Sequence, residues 1–225
     1  MVTTALPNID LNGLIDHTYL KFNCTPEDVE VLCQEALTNR FYSICIPPFF
    51  VFQARNYLGV NSAVKICTVV GYPLGYNTTA AKVEEIKRGA MDGVDEFDVV
   101  ANMSAIKAGD WNYVQNDIES VTMMCHLRSK KIILTFESSE LEAAEVKKLV
   151  EICEKSGVDY IKPTTGYLGE TCSIEQVKFL RRIAGPSIKL KVEGKYKTKL
   201  DARQVIDAGA NRIGTTTGMR LINSV

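Results

Sequence analysis

A rhythm constrains this chain more than any other feature. A short apolar run fit for a strand is followed by an amphipathic stretch fit for a helix, and the pair recurs to the end. The strand-like runs are LIDHTYL (14–20), YSICI (42–46), VKICTVV (64–70), EFDVVAN (96–102), KIILTFE (131–137), YIKPTT (160–165), SIKLKVE (187–193) and NRIGTTTG (211–218). The stretch TPEDVEVLCQEALTNR (25–40) is typical of the helices between them. Thr25 is placed to cap it, Pro26 to open it, and Val29, Leu32, Cys33 and Ala36 recur at helical spacing. Strands that alternate with helices imply a parallel sheet, and eight such units close into a (β/α)8 TIM barrel. No linker-like or low-complexity segment divides the chain, so residues 1–225 are expected to form a single domain. A doubly wound open sheet is the alternative. Against it, no G-x-G-x-x-G turn follows the first strand.

Composition excludes several classes of function. A formal net charge of −1 gives no reason to expect nucleic acid or an anionic membrane as partner. The longest apolar runs fall far short of a membrane span. The opening MVTTALPNID has neither the basic region nor the apolar core of an export signal, so a cytoplasmic location is expected. Seven cysteines, an odd number with no C-x-x-C pair, fit reduced thiols in that compartment. His17 and His126 are the only histidines and lack ligand spacing, so no metal site is expected.

Barrel enzymes carry function at the C-terminal ends of the strands, which directs attention to charged residues there. Lys162 ends the sixth strand-like run and Lys191 lies near the end of the seventh. Neighbouring strands run about 4.8 Å apart, so two inward lysines come close. Mutual repulsion and burial both lower a lysine pKa, and a neutral amine attacks a carbonyl to form a Schiff base. Asp98, toward the end of the fourth run, is placed to relay protons or hold a lysine; Asp16, on the first, to pair with Lys191. The plainer alternative is that each lysine is an exposed strand-end residue, or part of a satisfied ion pair. The alternation in SIKLKVEG sets Lys189, Lys191 and Glu193 on one face. If that face is the interior, Lys189 lies deeper than Lys191 and needs a partner.

A second signal concerns anions. GTTTG (214–218) closes the eighth run and VEGKYKT (192–198) spans the end of the seventh. Glycines there let backbone N–H groups face an anion, and barrels commonly bind phosphate with these two loops. The alternative is that GTTTG is a small-residue turn into a final helix.

The segments IDHTYLK (15–21), SICIPP (43–48), KICTVVGYPLG (65–75), DEFDVVANMSAIKAGDW (95–111), DYIKPTTG (159–166), GPSIKLKVEG (185–194) and DAGANRIGTTTG (207–218) together resemble the deoxyribose-phosphate aldolases, in order and over nearly the full length. The resemblance implies a class I aldolase that reversibly cleaves 2-deoxy-D-ribose 5-phosphate to D-glyceraldehyde 3-phosphate and acetaldehyde. It implies Lys162 as the Schiff-base lysine and Lys191 as the second lysine that lowers its pKa. Asp98 would work with a water in proton transfer, with Asp16 supporting Lys191. Cys45 matches a cysteine near the substrate pocket, and a plain core cysteine is an equal reading. The phosphate would lie against Gly166, Gly194 and the Thr215–Thr216 turn. No cofactor or metal is implied, the partner is a small phosphorylated sugar or aldehyde, and a homodimer is the family's suggestion.

The chain also departs from the family's pattern. Pro163 stands where a threonine is usual, which removes an N–H beside the nucleophile and restricts Lys162 to extended backbone. Glu193 replaces a serine, Lys195 replaces a glycine, and Lys189 stands where a small or apolar residue is usual. Glu193 would repel a phosphate or raise the pKa of Lys191, and Lys195 would supply a compensating charge. A Schiff-base aldolase with shifted substrate preference, and a non-catalytic scaffold on the same barrel, are therefore the alternatives. The chain ends soon after GTTTG, at LINSV, so no tail-mediated proton shuttle is expected.

Overall fold

The computed structural model describes residues 10–169 and 171–224. Most of the opening decapeptide read above for an export signal, residues 1–9, lies outside the described residues. Eight parallel strands close into a barrel in sequence order, β1 pairing with both β2 and β8. They are β1 (Ile15–Thr18), β2 (Ser43–Ile46), β3 (Lys65–Val70), β4 (Glu96–Val100), β5 (Lys131–Thr135), β6 (Tyr160–Lys162), β7 (Lys189–Glu193) and β8 (Arg212–Thr215). The helices are α1 (Pro26–Asn39), α2 (Val51–Leu58), α3 (Thr79–Asp92), α4 (Met103–Lys107), α5 (Trp111–Leu127), α6 (Ala143–Ser156), α7 (Ile174–Ile183), α8 (Lys199–Asp207) and α9 (Gly218–Ile222). The barrel was the expected closure, and the open-sheet alternative is overturned by the β1–β8 pairing.

Local chemistry sets the helix ends. Thr25 caps α1 by accepting the Asp28 N–H, while the Asp28 carboxylate reaches back to the Thr25 N–H, a reciprocal capping box with Pro26 at the first position. The αL glycine Gly157 stops α6. The short α4 was not expected. Asn102, read as strand from its apolar neighbours, instead turns its side chain onto the Ala105 N–H and starts a helix. β6 is shorter than its sequence run because Pro163 has no N–H to continue the ladder. Its carbonyl accepts the Ser138 N–H at 2.9 Å instead.

The strand period of two separates two kinds of interior. Ile44, Ile66, Phe97, Val99, Ile132, Leu134, Ile161, Leu190, Val192 and Ile213 pack outward under the helices in one apolar layer. The alternate residues point into the barrel and are a different population: Asp16, Ser43, Cys45, Cys67, Asp98, Thr135, Lys162, Lys191 and Arg212, all buried. Lys189, on the same face of β7, sits at the opposite mouth and is exposed, its ammonium 5.7 Å from the Tyr160 ring centre. It needs no buried partner, because the inward face of β7 opens to solvent at that end.

A second buried charge pair lies outside the barrel. Lys82 on α3 donates to Asp117 on α5 at 2.7 Å, and Thr79 donates to the other carboxylate oxygen at 2.7 Å. Lys82→Met would strand a buried carboxylate and is expected to cost about 3–5 kcal/mol. Adding Asp117→Leu should recover most of that loss, with urea unfolding of the single and double variants as the measurement.

Candidate active site

The strand register sets the site. Tyr160 pairs with Lys189 and Ile161 with Leu190, so Lys162 and Lys191, each the next residue along, stand level on adjacent strands. Between them reaches Asp98 from β4. Its Oδ2 lies 2.5 Å from Lys162 Nζ and 3.7 Å from Lys191 Nζ, and its Oδ1 accepts the Thr135 hydroxyl. Lys191 Nζ lies 3.0 Å from Asp16 Oδ2 in an ion pair that lacks the alignment of a hydrogen bond, so its donors are not used up. Asp16 Oδ1 accepts the Ser43 hydroxyl at 2.7 Å and lies 3.6 Å from Arg212.

Deeper in the barrel, Arg212 donates to Glu96 at 2.7 Å. Its guanidinium is sandwiched between Tyr42 and Tyr160, 4.2 and 4.1 Å from the ring centres. Three cations thus alternate with three carboxylates in one line, Glu96–Arg212–Asp16–Lys191–Asp98–Lys162. Sequence reasoning found Lys162, Lys191, Asp98 and Asp16. It missed Arg212 and Glu96, and the hydroxyls of Ser43 and Thr135. The available signal was a polar residue at an inward position of an otherwise apolar strand.

The charges fix the proton positions. Burial pushes the Asp98 and Asp16 carboxyls up, but the neighbouring cations outweigh it and hold both below the ordinary aspartate value. Burial pulls Lys162 down most strongly and Lys191 adds to it, but Asp98 at 2.5 Å, with Glu193 and Cys45 behind it, together hold its pKa above the usual lysine value. Lys191 acts on Lys162 in the expected direction, lowering it, while Asp98 brings a closer negative charge that acts against it. Lys191 is likewise raised despite burial, chiefly by Asp16.

The remaining expected residues occupy the same mouth. Cys45 is buried, the register partner of Cys67 across β2 and β3. The two sulfurs and an Asp98 oxygen lie within 4.8 Å of one another. Their hydrogen bond, then burial, pushes the Cys67 thiol well up. Of the expected anion donors, the two glycine N–H groups are engaged within the chain. Gly166 N–H donates to Thr164 Oγ1 at 3.1 Å, and Gly194 N–H to the Gly214 carbonyl at 3.1 Å. Buried Thr215 accepts the Thr217 N–H at 3.2 Å, and Thr216 is exposed. Glu137, overlooked in the sequence, accepts the Thr165 N–H at 2.8 Å and so shapes the turn after β6. Glu193 Oε2 lies 3.9 Å from Lys162 Nζ. Beside this mouth opens a cavity of about 1020 Å³, lined in part by Leu20, Phe22, Phe49, Val69, Tyr72 and Tyr167. Another, of about 850 Å³, lies outside the barrel along α3. No described helix is long and apolar enough to cross a membrane.

A closed (β/α)8 barrel with buried charged residues at its strand ends is the architecture of barrel enzymes. The sequence model of the DeoC/LacD family aldolases matches residues 11–219, and the chain belongs to that family. It is 39% identical over 215 residues to a deoxyribose-phosphate aldolase of Thermococcus gammatolerans, covering 95% of this chain and 96% of that one. It is 37% identical to one from an Exiguobacterium species, covering 95% and 96%. Among solved structures, an aldolase called QR15 superposes with a TM-score of 0.88 at 32% identity, covering 95% of each chain. The tetrameric deoxyribose phosphate aldolase of Aeropyrum pernix superposes with a TM-score of 0.86 at 25% identity, covering 94% of this chain and 89% of that one.

The lowered carboxyls make stability depend on pH. Asp16 and Asp98 stay ionised in the fold where the unfolded chain already takes up protons. Their contribution is complete above the unfolded carboxyl value, about 3.9, and is lost as pH falls through the lower native values. Glu193, whose carboxyl burial pushes up, acts in the opposite sense at higher pH. Thr135→Val isolates Asp98 by removing one donor to its charged form. Urea unfolding across a pH series should show, in that variant, a smaller acid loss that levels off at a higher pH.

Proposed function

We propose that this chain is a class I aldolase that reversibly cleaves 2-deoxy-D-ribose 5-phosphate to D-glyceraldehyde 3-phosphate and acetaldehyde through a Schiff base on Lys162. Membership of the DeoC/LacD aldolases and the names of its relatives support the reaction. The observation that carries the residue assignment is Lys162 Nζ buried at the end of β6, 2.5 Å from Asp98.

In this reading Asp98 takes the Lys162 proton along their contact, and the neutral amine adds to C1 of the open-chain aldehyde. Loss of water gives an iminium, which draws electrons from the C2–C3 bond as the C3 hydroxyl gives up its proton. Glyceraldehyde 3-phosphate leaves. The remaining enamine is protonated at C2, and hydrolysis frees acetaldehyde and Lys162. Lys191, 3.7 Å from Asp98, keeps a positive charge beside the relay, and with free donors it can orient a water. Asp16 holds Lys191, and Cys45 borders the reacting carbon. Gly166, Gly194, Thr215 and Thr216 form the wall on the phosphate side.

A chain in which Lys162, Lys191 and Asp98 converge favours an enzyme over a scaffold, because apolar residues of similar volume would fill the same space without the cost of desolvating charge. We further infer a cytoplasmic enzyme of one domain over residues 1–225, assembled as a homodimer; light scattering measures the assembly.

Borohydride reduction in the presence of deoxyribose 5-phosphate should leave an adduct that peptide mapping places on Lys162. Lys162→Ala should lose both adduct and turnover. An adduct elsewhere would refute the assignment. Asp98→Asn should lower kcat by about 10²–10⁴-fold with a smaller change in KM.

A further inference from the structure

The phosphate side of the mouth is already occupied by part of the chain itself. Glu193 ends β7 and turns its side chain into the space bounded by Gly166 and Gly214. A Cβ on Gly214 would stand 2.3 Å from Glu193 Oε2, and one on Gly166 would stand 3.2 Å from Glu193 Cγ. These two positions are glycine where the carboxylate passes, so the room they leave is taken by Glu193. Gly194 has a different reason to be glycine. A Cβ there would meet Thr171 at 2.6 Å and the Tyr196 ring at 2.7 Å.

No donor among the described residues hydrogen-bonds the Glu193 carboxylate. Its nearest cation is Lys162, 3.9 Å away. Yet Glu193 is only 9% exposed. The line of three cations and three carboxylates below it is already balanced, which leaves Glu193 as a surplus acid. Burial accordingly pushes its carboxyl up, with Lys162 and Lys191 opposing. The donors that would face an anion here are engaged too, Gly166 N–H with Thr164 and Gly194 N–H with the Gly214 carbonyl. Lys195 and Lys197 stand exposed on the loop beyond, so cations are present at the rim but not in the inner wall.

We propose that Glu193 is a specificity residue that weakens recognition of the phosphate, so that this aldolase discriminates little between phosphorylated and unphosphorylated 2-deoxyaldoses and their aldehyde products. The proposal rests on the reading of Lys162 as the Schiff-base lysine. A phosphate brought beside Glu193 either faces a carboxylate at short range or requires that carboxyl to hold a proton; each lowers affinity for the phosphorylated sugar alone. An uncharged hydroxyaldehyde meets neither penalty, and its hydroxyl can donate to the carboxylate.

The test compares wild type with Glu193→Gln, which keeps the volume and removes the charge, and with Glu193→Ser, which removes both. The first readout is the ratio of kcat/KM for deoxyribose 5-phosphate to that for 2-deoxyribose. It should rise by about tenfold or more in both variants, mainly through KM for the phosphorylated sugar. The second is calorimetric titration with inorganic phosphate, which needs no turnover; the Kd should fall by a similar factor. An unchanged ratio and Kd in Glu193→Gln would overturn the proposal. A change confined to Glu193→Ser would assign the effect to volume and also overturn it. Loss of the Lys162 adduct with both sugars in Glu193→Gln would make Glu193 part of the chemistry instead. Absence of that adduct in wild type would refute the Schiff-base reading, while the phosphate titration still decides the role of Glu193.

Discussion

The structure depends on one line of alternating charge inside the barrel. Isolated, any one of Lys162, Lys191 or Arg212 would be too costly to bury, and so would Asp16, Glu96 or Asp98. Arranged as Glu96–Arg212–Asp16–Lys191–Asp98–Lys162, each lies between or beside opposite charges. Two tyrosine faces and the Ser43 and Thr135 hydroxyls supply further contacts. The line runs from the N-terminal ends of the strands to their C-terminal ends. A change at Arg212 therefore reaches Lys191 through the carboxylate they share.

Mutual repulsion alone would leave one of the two amines neutral, since losing one proton relieves it. Here each lysine has its own carboxylate, Asp98 at 2.5 Å from Lys162 and Asp16 at 3.0 Å from Lys191, and both amines are shifted toward the charged form. On the proposed function, reactivity would come from proton transfer along the Lys162–Asp98 contact when a carbonyl arrives.

At the mouth, Glu193 stands 3.9 Å from Lys162. It continues the inward face of β7 two residues beyond Lys191, and so cannot avoid the site. Leu20, Phe22, Phe49, Tyr72 and Tyr167 give the neighbouring cavity a largely apolar wall, with Lys21 and Glu85 as its charged residues.

Periodicity made the barrel legible in the sequence, since side-chain alternation and helix caps are local and repeat with each unit. The same alternation put Lys162, Lys191, Asp98 and Asp16 at candidate positions, and the family motifs gave them roles. It also displayed Glu193 as an anomaly without saying where its carboxylate goes. Three matters were decided only by tertiary structure. Arg212 joins the site because closure brings β8 beside β1, a pairing between the two ends of the strand series. The charge on Lys162 follows from a distance to β4, 64 residues away along the chain. The Gly194 N–H is taken by the Gly214 carbonyl on the neighbouring strand end, a contact that exists only once β7 and β8 pair. Proton positions and donor availability depend on distances between strands, and a sequence specifies those distances only once the barrel has closed.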